Sequence, residues 1–190
     1  MNVLIVYAHP DPNSYNHAVL ASVKRGLNDG GHDVSVIDLY ADNYDPVLVF
    51  DTNVQRTDLD AQTEAYQGRI AQAEHLIFIY PVWWYGLPAV LKGFFDRVLT
   101  PGFAYDTSGR LPKGLLSDKS AWGLYTMGSP GWYVTLCRGN AEWTTVRDGI
   151  LKFCGIRRIK KMRFAGMNTS SQKRRERWLA YVYRRARDLK

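Results

Sequence analysis

Apolar runs and amphipathic stretches alternate along the whole chain, and this alternation predicts a doubly wound α/β fold. Runs such as residues 3–8 are almost continuously apolar, which is typical of strands buried on both faces of a sheet. Each run is followed by a stretch with helical spacing, so the strands are expected to pair in parallel through right-handed crossovers. Five such units in 190 residues, with no linker or repeat, predict a single domain, residues 1–190.

The elements follow from apolar periodicity and from the residues that end each run. The first helix is expected to begin near Ser14, and Asn28-Asp29-Gly30-Gly31 is a strong stop signal after it. The predicted strands are residues 3–8, 33–39, 75–80, 119–126 and 156–164, and the predicted helices are residues 14–27, 57–74, 88–99, 143–153 and 171–189.

The strand order is predicted from a motif that the chain lacks. The first two units contain no Gly-x-Gly-x-x-Gly, the fingerprint of a dinucleotide-binding Rossmann domain. A flavodoxin-like order 2-1-3-4-5 is therefore expected, with helices on both faces of the sheet. In such sheets ligands bind outside the carboxyl ends of the strands, so the loops after the first, third and fourth strands are the candidate functional segments.

Composition excludes several classes of protein. No apolar run reaches the ~20 residues needed to cross a bilayer, and the first residues lack the basic region of a secretory signal, so a cytoplasmic location is expected. Two cysteines, Cys137 and Cys154, without clustered histidines predict neither a disulfide framework nor a metal site.

The charge is unevenly distributed. Residues 151–190 carry fourteen basic and two acidic side chains, against eleven and sixteen before them. The basic residues predict a solvated face on the last helix and a charge-protected edge strand at residues 156–164. Contact of Lys173, Arg174 or Arg175 with an adenosine pyrophosphate stays an alternative. Without a recognition motif, nucleic acid is not an expected partner.

The first candidate loop, residues 8–17, combines polar side chains with the start of a helix. A helix N-terminus has unpaired N–H groups and a positive dipole end, which together favour a phosphate. His9, Ser14 and Asn16 add side-chain donors. The alternative is an ordinary strand–turn–helix with a serine cap.

The second candidate loop, residues 80–89, is aromatic and stiffened by prolines. Trp83, Trp84 and Tyr85 follow one another between Pro81 and Pro88. Such a loop can wall a pocket for a planar ring while its backbone reaches the edge of that ring. The alternative is that these rings only pack in a core or an interface.

The third candidate loop, residues 126–133, contains two glycines. Gly128 allows a ligand to approach the backbone closely, and the hydroxyls of Thr126 and Tyr133 are candidate donors to a ring that gains negative charge. An ordinary surface turn has the same composition.

The three loops together resemble those of a known family. The matching motifs are Ala8-His9-Pro10 with Ser14-x-Asn16, then Tyr80-Pro81-x-x-Trp84-Tyr85-Gly86-x-Pro88-Ala89-x-x-Lys92-Gly93-x-x-Asp96-Arg97-Val98, and then Phe103-Ala104-Tyr105. With these motifs the chain resembles the NAD(P)H:quinone oxidoreductase family of flavodoxin-like flavoproteins. The resemblance implies bound FAD, with FMN as the alternative, and a homodimer with active sites at its interface. It also implies two-electron, ping-pong reduction of quinones or related acceptors by NADH or NADPH.

The resemblance also implies roles for single residues. The expected phosphate ligands are His9, Ser14, Tyr15 and Asn16, the expected walls of the isoalloxazine pocket are Pro81, Val82, Trp83, Trp84 and Tyr85, and the expected residues at its polar edge are Thr126 and Gly128. Tyr133 and Tyr105 complete the expected catalytic set, with Tyr105 reaching into the pocket of the other subunit.

Two departures separate the chain from the family pattern. Thr126-Met127-Gly128-Ser129 replaces the common Thr-Thr-Gly-Gly, and no histidine follows Tyr133 at a spacing of six, so a Tyr–His proton relay is not expected. Two other functions stay open: a redox-sensing regulatory subunit of a membrane transporter, with a peripheral membrane partner, and a flavodoxin-type electron carrier.

Overall fold

The computed structural model describes residues 1–49 and 60–190. The strands are β1 (Asn2–Tyr7), β2 (Asp33–Asp38), β3 (His75–Pro81), β4 (Tyr105–Asp106), β5 (Lys113–Gly114), β6 (Ser120–Met127) and β7 (Arg158–Ala165). The α-helices are α1 (Tyr15–Asp29), α2 (Ala61–Gln72), α3 (Ala89–Val98), α4 (Gly131–Cys137), α5 (Ala141–Thr144) and α6 (Gln172–Arg187), with a π-helix at Thr145–Leu151 and a 3₁₀ turn at Met167–Thr169.

The five long strands form one parallel sheet in the order β2-β1-β3-β6-β7. The small antiparallel pair β4–β5 stands apart from it, so β6 and β7 are the fourth and fifth strands of the prediction. The predicted order 2-1-3-4-5 is therefore confirmed. This order brings the carboxyl ends of β1, β3 and β6 next to one another.

Alternating side chains of β1 supply the two halves of the core. Leu4 and Val6 pack with residues of α2 and α3 on one face of the sheet. Val3 and Ile5 pack with residues of α1 and α6 on the other face. Both sets are almost fully buried, which explains why this strand reads as a continuous apolar run.

Two helical segments differ from the prediction. Residues 143–153, predicted as one helix, are the end of α5 followed by the π-helix. The β-branched Thr144, Thr145 and Val146, with Gly149 after them, have low α-helix propensity. The start of α2 was predicted at Thr57, which lies outside the described residues, and the described helix begins after the cap Asp60.

Helix α4 was not predicted, and tertiary contacts account for it. A seven-residue helix is too short to be stable alone. Arg163 of β7 donates hydrogen bonds to the Gly131 carbonyl and to Thr135 Oγ1. The same guanidinium contacts the buried carboxylate of Glu142 at 3.1 Å, and Tyr125 donates to that carboxylate as well. One network thus anchors α4 and α5 to the sheet.

His75 lies at the start of β3 and is only 5% exposed. Its Nδ1 is 2.7 Å from Ser120 Oγ. Burial, followed by the nearby charges of Lys160 and Arg158, lowers the pKa of His75 from 6.5 to about 4. The folded protein therefore keeps this imidazole neutral at a pH where the unfolded chain protonates it.

We expect His75 to make folding stability dependent on pH. Because the unfolded state binds the extra proton, the free energy of unfolding falls as the pH decreases from about 6.5 to about 4. The loss reaches about 3 kcal/mol, at about 1.4 kcal/mol for each pKa unit. Urea unfolding of the wild type and of His75→Gln across this range measures it. Parallel pH profiles for the two proteins would contradict the assignment.

Candidate active site

The three candidate loops meet at the carboxyl edge of the sheet, and Thr126 connects them. Asn16 at the start of α1 donates its side-chain amide to Thr126 Oγ1 at 2.9 Å. The backbone N–H of Val82, just after β3, donates to the Thr126 carbonyl at 2.8 Å. Thr126 is itself near the end of β6, where the third loop begins. One residue thus joins all three segments.

The first loop presents the N-terminus of α1. Asp11 Oδ1 accepts from the backbone N–H of Asn13 at 2.8 Å, and Ser14 caps the helix by accepting from the backbone N–H of His17 at 3.2 Å. The first turn carries no acidic side chain. The positive end of this fifteen-residue helix therefore stays available to an anion.

His9 is arranged as a neutral hydrogen-bond donor. Its Nδ1 accepts from the backbone N–H of Asp11 at 3.0 Å, which places the ring proton on Nε2. Burial lowers the pKa of this imidazole. Its ring centroid lies 6.1 Å from that of Trp83, so the first and second loops contact each other here.

Tyr15 and Asn16 have different surroundings. The Tyr15 hydroxyl donates to the Arg175 carbonyl at 2.8 Å, and its ring packs against Phe164 and Trp178. Only the backbone of Tyr15 faces the first turn. Asn16 is buried, and its Oδ1 has no hydrogen-bond partner among the described residues. A buried carbonyl oxygen without a donor is costly, and a donor on a bound molecule would satisfy it.

The second loop is a tight hairpin turn. Trp83 and Gly86 exchange two backbone hydrogen bonds of 3.1 and 2.9 Å, and the central residues Trp84 and Tyr85 have φ of 51° and 57°. Bulky residues in this left-handed region store strain of about 1–3 kcal/mol each, which is characteristic of functional segments. The turn holds the Trp84 side chain 98% exposed, so in this chain Trp84 is not core packing.

The remaining residues of the second loop line its base. Pro81 is buried as the last residue of β3, next to Thr126 of β6, and Val82 is half-buried. Together with Trp83 they give this part of the edge an apolar surface.

The third loop leaves the backbone of Gly128 exposed. A Cβ at this position would lie 3.3 Å from Asn168 Nδ2, so a side chain would be crowded against the 3₁₀ turn after β7. Tyr133 lies half-buried on α4, behind this loop.

Two polar residues of this site, Ser129 and Arg138, were not predicted from the sequence. The hydroxyls of Tyr85 and Ser129 are 3.1 Å apart, and the Arg138 guanidinium lies 4.8 Å from the Tyr85 ring centroid and 5.9 Å from that of Tyr133. The hydrogen bond to Ser129 and the charge of Arg138 lower the pKa of Tyr85. Arg138 follows α4 directly, so its position was not foreseeable without that helix.

Tyr105 is the one predicted site residue that the single chain does not bring to the loops. It lies in β4, and its ring packs against Phe153 at a centroid distance of 4.9 Å. Within residues 1–49 and 60–190, no hydrogen bond or ring contact links it to the three loops.

The donor set at this edge suits a flavin nucleotide. A helix N-terminus binds phosphate, an aromatic turn walls a planar ring, and an exposed glycine backbone reaches the polar edge of that ring. The unpartnered Oδ1 of Asn16 is a further hydrogen-bond acceptor at this edge. Within residues 1–49 and 60–190, no three acidic, histidine or cysteine side chains are grouped so that they could hold a metal ion.

The chain is similar to several known proteins. A family profile described as flavodoxin-like fold matches residues 1–187. A curated rat protein named ribosyldihydronicotinamide dehydrogenase [quinone] is 30% identical over 211 residues, which cover 98% of this chain and 91% of that protein. The chain belongs to the NAD(P)H:quinone oxidoreductase family.

Solved structures support the same membership. The structure of Smu.1420 from Streptococcus mutans UA159 superposes with a TM-score of 0.92 at 38% identity and covers 100% of both chains. An NAD(P)H:quinone oxidoreductase from Methanothermobacter marburgensis superposes with a TM-score of 0.88 at 31% identity, over 100% of this chain and 99% of that one. As a member of this family, the protein is an oxidoreductase.

We expect the Thr126 hydroxyl to contribute to folding stability by holding the three loops together. Thr126→Val keeps the shape and removes the acceptor, which leaves the buried Asn16 amide unpaired at a cost of about 1–3 kcal/mol. Thr126→Ser keeps the acceptor and serves as the control. Urea unfolding compares the three proteins. Equal stability of the valine and serine variants would contradict the role assigned to this bond.

Proposed function

We propose that the protein is a flavin-dependent NAD(P)H oxidoreductase that reduces quinones or related acceptors by two electrons in a ping-pong cycle. The observation that carries the proposal is the meeting of the free α1 N-terminus and the strained Trp84–Tyr85 turn at one edge of the sheet. FAD is the preferred cofactor and FMN the alternative. Bound there, the flavin supplies the chemistry, accepting hydride from reduced nicotinamide and passing two electrons to the acceptor.

The first loop would hold the flavin phosphates. The backbone N–H groups of Tyr15 and Asn16 stand in the first helical turn, where no carboxylate competes for them. Ser14 and the Nε2–H of His9 are side-chain donors beside them. The Asn16 carbonyl oxygen would accept from a hydroxyl of the same ligand.

The second and third loops would hold the ring system. Trp84 and Tyr85 stand on a turn that is already in its strained conformation, so little ordering is needed when the ring binds. Donors that point at the ring before charge develops favour its anionic reduced form. The Gly128 backbone is such a donor in this proposal, with the hydroxyls of Thr126 and Tyr133, and the guanidinium of Arg138 is the nearby cation.

A second copy of the chain would complete the pocket. Around the site, Trp84 is 98%, Leu136 79% and Trp132 65% exposed. Trp132 and Leu136 are four residues apart on α4 and so share one face of it. Exposed apolar groups of this size favour an interface, and a dimer would allow Tyr105 of one subunit to reach the other site.

We propose that the protein acts in the cytoplasm. Cys137 and Cys154 are both free thiols in the structure. Among the described residues, no helix is both long enough and apolar enough to pass through a membrane.

The decisive experiment is to identify the flavin and measure turnover. We expect the purified protein to be yellow, to release FAD on denaturation, to oxidise about one equivalent of NADH or NADPH per bound flavin without an acceptor, and to turn over continuously only while an acceptor is present. Initial rates at several fixed quinone concentrations should give parallel double-reciprocal lines, as a ping-pong cycle requires. Because the Trp84 ring would cover the flavin, Trp84→Ala should retain flavin at least about tenfold more weakly, in line with the loss of one large aromatic contact.

The matched control is Tyr181→Ala, which removes an aromatic side chain exposed on α6. It should bind flavin as the wild type does. A colourless protein that takes up neither FAD nor FMN would refute the proposal. Equal flavin affinity in Trp84→Ala and Tyr181→Ala would remove Trp84 from the proposed flavin site.

The dimer has its own test. Negative charge introduced on the shared α4 face, in the double variant Trp132→Glu/Leu136→Glu, should shift the mass in sedimentation equilibrium from about twice the 21.7 kDa chain mass to the monomer value. The physical reason is that carboxylates buried without partners oppose association. Tyr181→Glu on α6 is the control. A monomeric wild type, or an unaffected dimer in the double variant, would refute this interface.

A further inference from the structure

A groove of about 1150 Å³ lies between β7 and α6, away from the three loops. It is lined by the first residues of β3 and β6, by residues 157–162, and by one side of α6. Ser120 lies in this groove and Thr126 lies at the candidate active site, six residues further along the same strand. At about 3.3 Å per residue, about 20 Å of sheet separates the two places.

The lining is strongly basic. Nine arginine and lysine residues and no acidic ones line the groove in the part of the chain that the structure describes: Arg157, Arg158, Lys160, Lys161, Arg174, Arg177, Arg184, Arg185 and Lys190. The Lys161 side chain lies over Trp143 on the other face of the sheet, so this residue contributes its backbone. They come from a strand and from a helix that face each other across the groove. Cations that converge on a concave surface focus a positive potential, which attracts anionic ligands.

A buried side chain in the groove lacks a partner. His75 is 5% exposed, and its Nε2 makes no hydrogen bond to any described residue. Its Nδ1 is 2.7 Å from Ser120 Oγ, and the Ser120 hydroxyl also has the Glu74 carbonyl as an acceptor at 3.4 Å. Leaving the buried Nε2 without a partner is unfavourable. A hydrogen-bonding group brought by a ligand would remove that penalty.

The backbone edge of β7 is part of the same groove. Side chains of successive strand residues point to opposite faces, yet all of residues 157–162 line the groove. The lining therefore includes the strand edge itself. Among the described strands β7 pairs only with β6, so its outer edge can accept another strand.

The chemistry of the lining distinguishes between anionic ligands. Single-stranded nucleic acid needs exposed aromatic faces on which bases stack. Arg174 lies 4.6 Å above the Trp178 ring, and Trp122 is buried, which leaves Tyr181 as an exposed ring of the lining. An extended acidic peptide needs an open strand edge for its main chain and cations for its carboxylates, and the groove has both.

We propose that this groove binds an acidic, extended segment of a partner protein, which adds to the sheet as a strand beside β7. Main-chain hydrogen bonds to the β7 edge give the segment its register. Its carboxylates meet Arg158 and Lys160 from the strand and Arg177 and Arg184 from α6. The same charges oppose pairing of two β7 edges from two copies of this chain.

The test uses fluorescence anisotropy with the purified full-length protein and a labelled eight-residue peptide of alternating Glu and Val, which matches the length of β7. We expect saturable binding that weakens with salt. A peptide of the same sequence in which every backbone amide is N-methylated keeps the charge and cannot donate main-chain hydrogen bonds from either edge, so it should bind about tenfold more weakly or worse. The double variant Arg158→Glu/Lys160→Glu should bind the unmodified peptide about tenfold more weakly than the wild type.

The control variant is Lys24→Glu/Arg110→Glu, which reverses two exposed charges outside the groove. It should bind the peptide as the wild type does, and circular dichroism checks that both double variants are folded. Neither readout depends on flavin or turnover, so this proposal and the proposed function can fail independently.

Four results would overturn the proposal. Equal binding of the N-methylated peptide would show a charged surface without strand addition. Tighter binding of a single-stranded oligonucleotide of equal charge would assign the groove to nucleic acid. Unchanged affinity in Arg158→Glu/Lys160→Glu would place the peptide elsewhere. Self-association that this variant abolishes, without peptide binding, would assign the groove to a second copy.

Discussion

Thr126 is the constraint on which the arrangement of the candidate site depends. Its hydroxyl accepts from Asn16, its carbonyl accepts from Val82, and its place in β6 sets the start of the third loop. A parallel sheet brings the three strand ends side by side, but loops are mobile unless something fixes them. Two hydrogen bonds to one buried residue fix the N-terminus of α1 against the aromatic turn.

Rigidity at this edge has a cost that the rest of the fold offsets. Trp84 and Tyr85 stand in left-handed backbone conformations, and the Trp84 ring is left in solvent. Below them, the two apolar layers around β1 and β3 are almost fully buried, and Glu142 with Arg163 anchors α4 behind the third loop. A stable sheet can therefore carry a strained, exposed turn.

The basic end of the chain is organised separately from this edge. Arg175 binds the Ser170 hydroxyl and the Met167 carbonyl, so it serves the connection between β7 and α6. Most of its neighbours face the groove on the side of β7. The predicted edge strand is present as β7. A solvated face was predicted for the last helix, and several of its charges instead line a concave surface together with those of β7. The proposed redox site and the proposed partner groove thus lie at opposite ends of one sheet.

The sequence by itself determined the strands, their order and the three loops, because buried parallel strands read as apolar runs and connections in such folds are short and right-handed. It also located His9, Ser14 and the aromatic turn. Only the tertiary structure decided that Tyr15 turns towards α6, that α4 exists and carries Arg138 to the Tyr85 ring, and that Tyr105 stays away from the loops of its own chain. Those outcomes depend on contacts between residues far apart in the chain, which local periodicity does not encode.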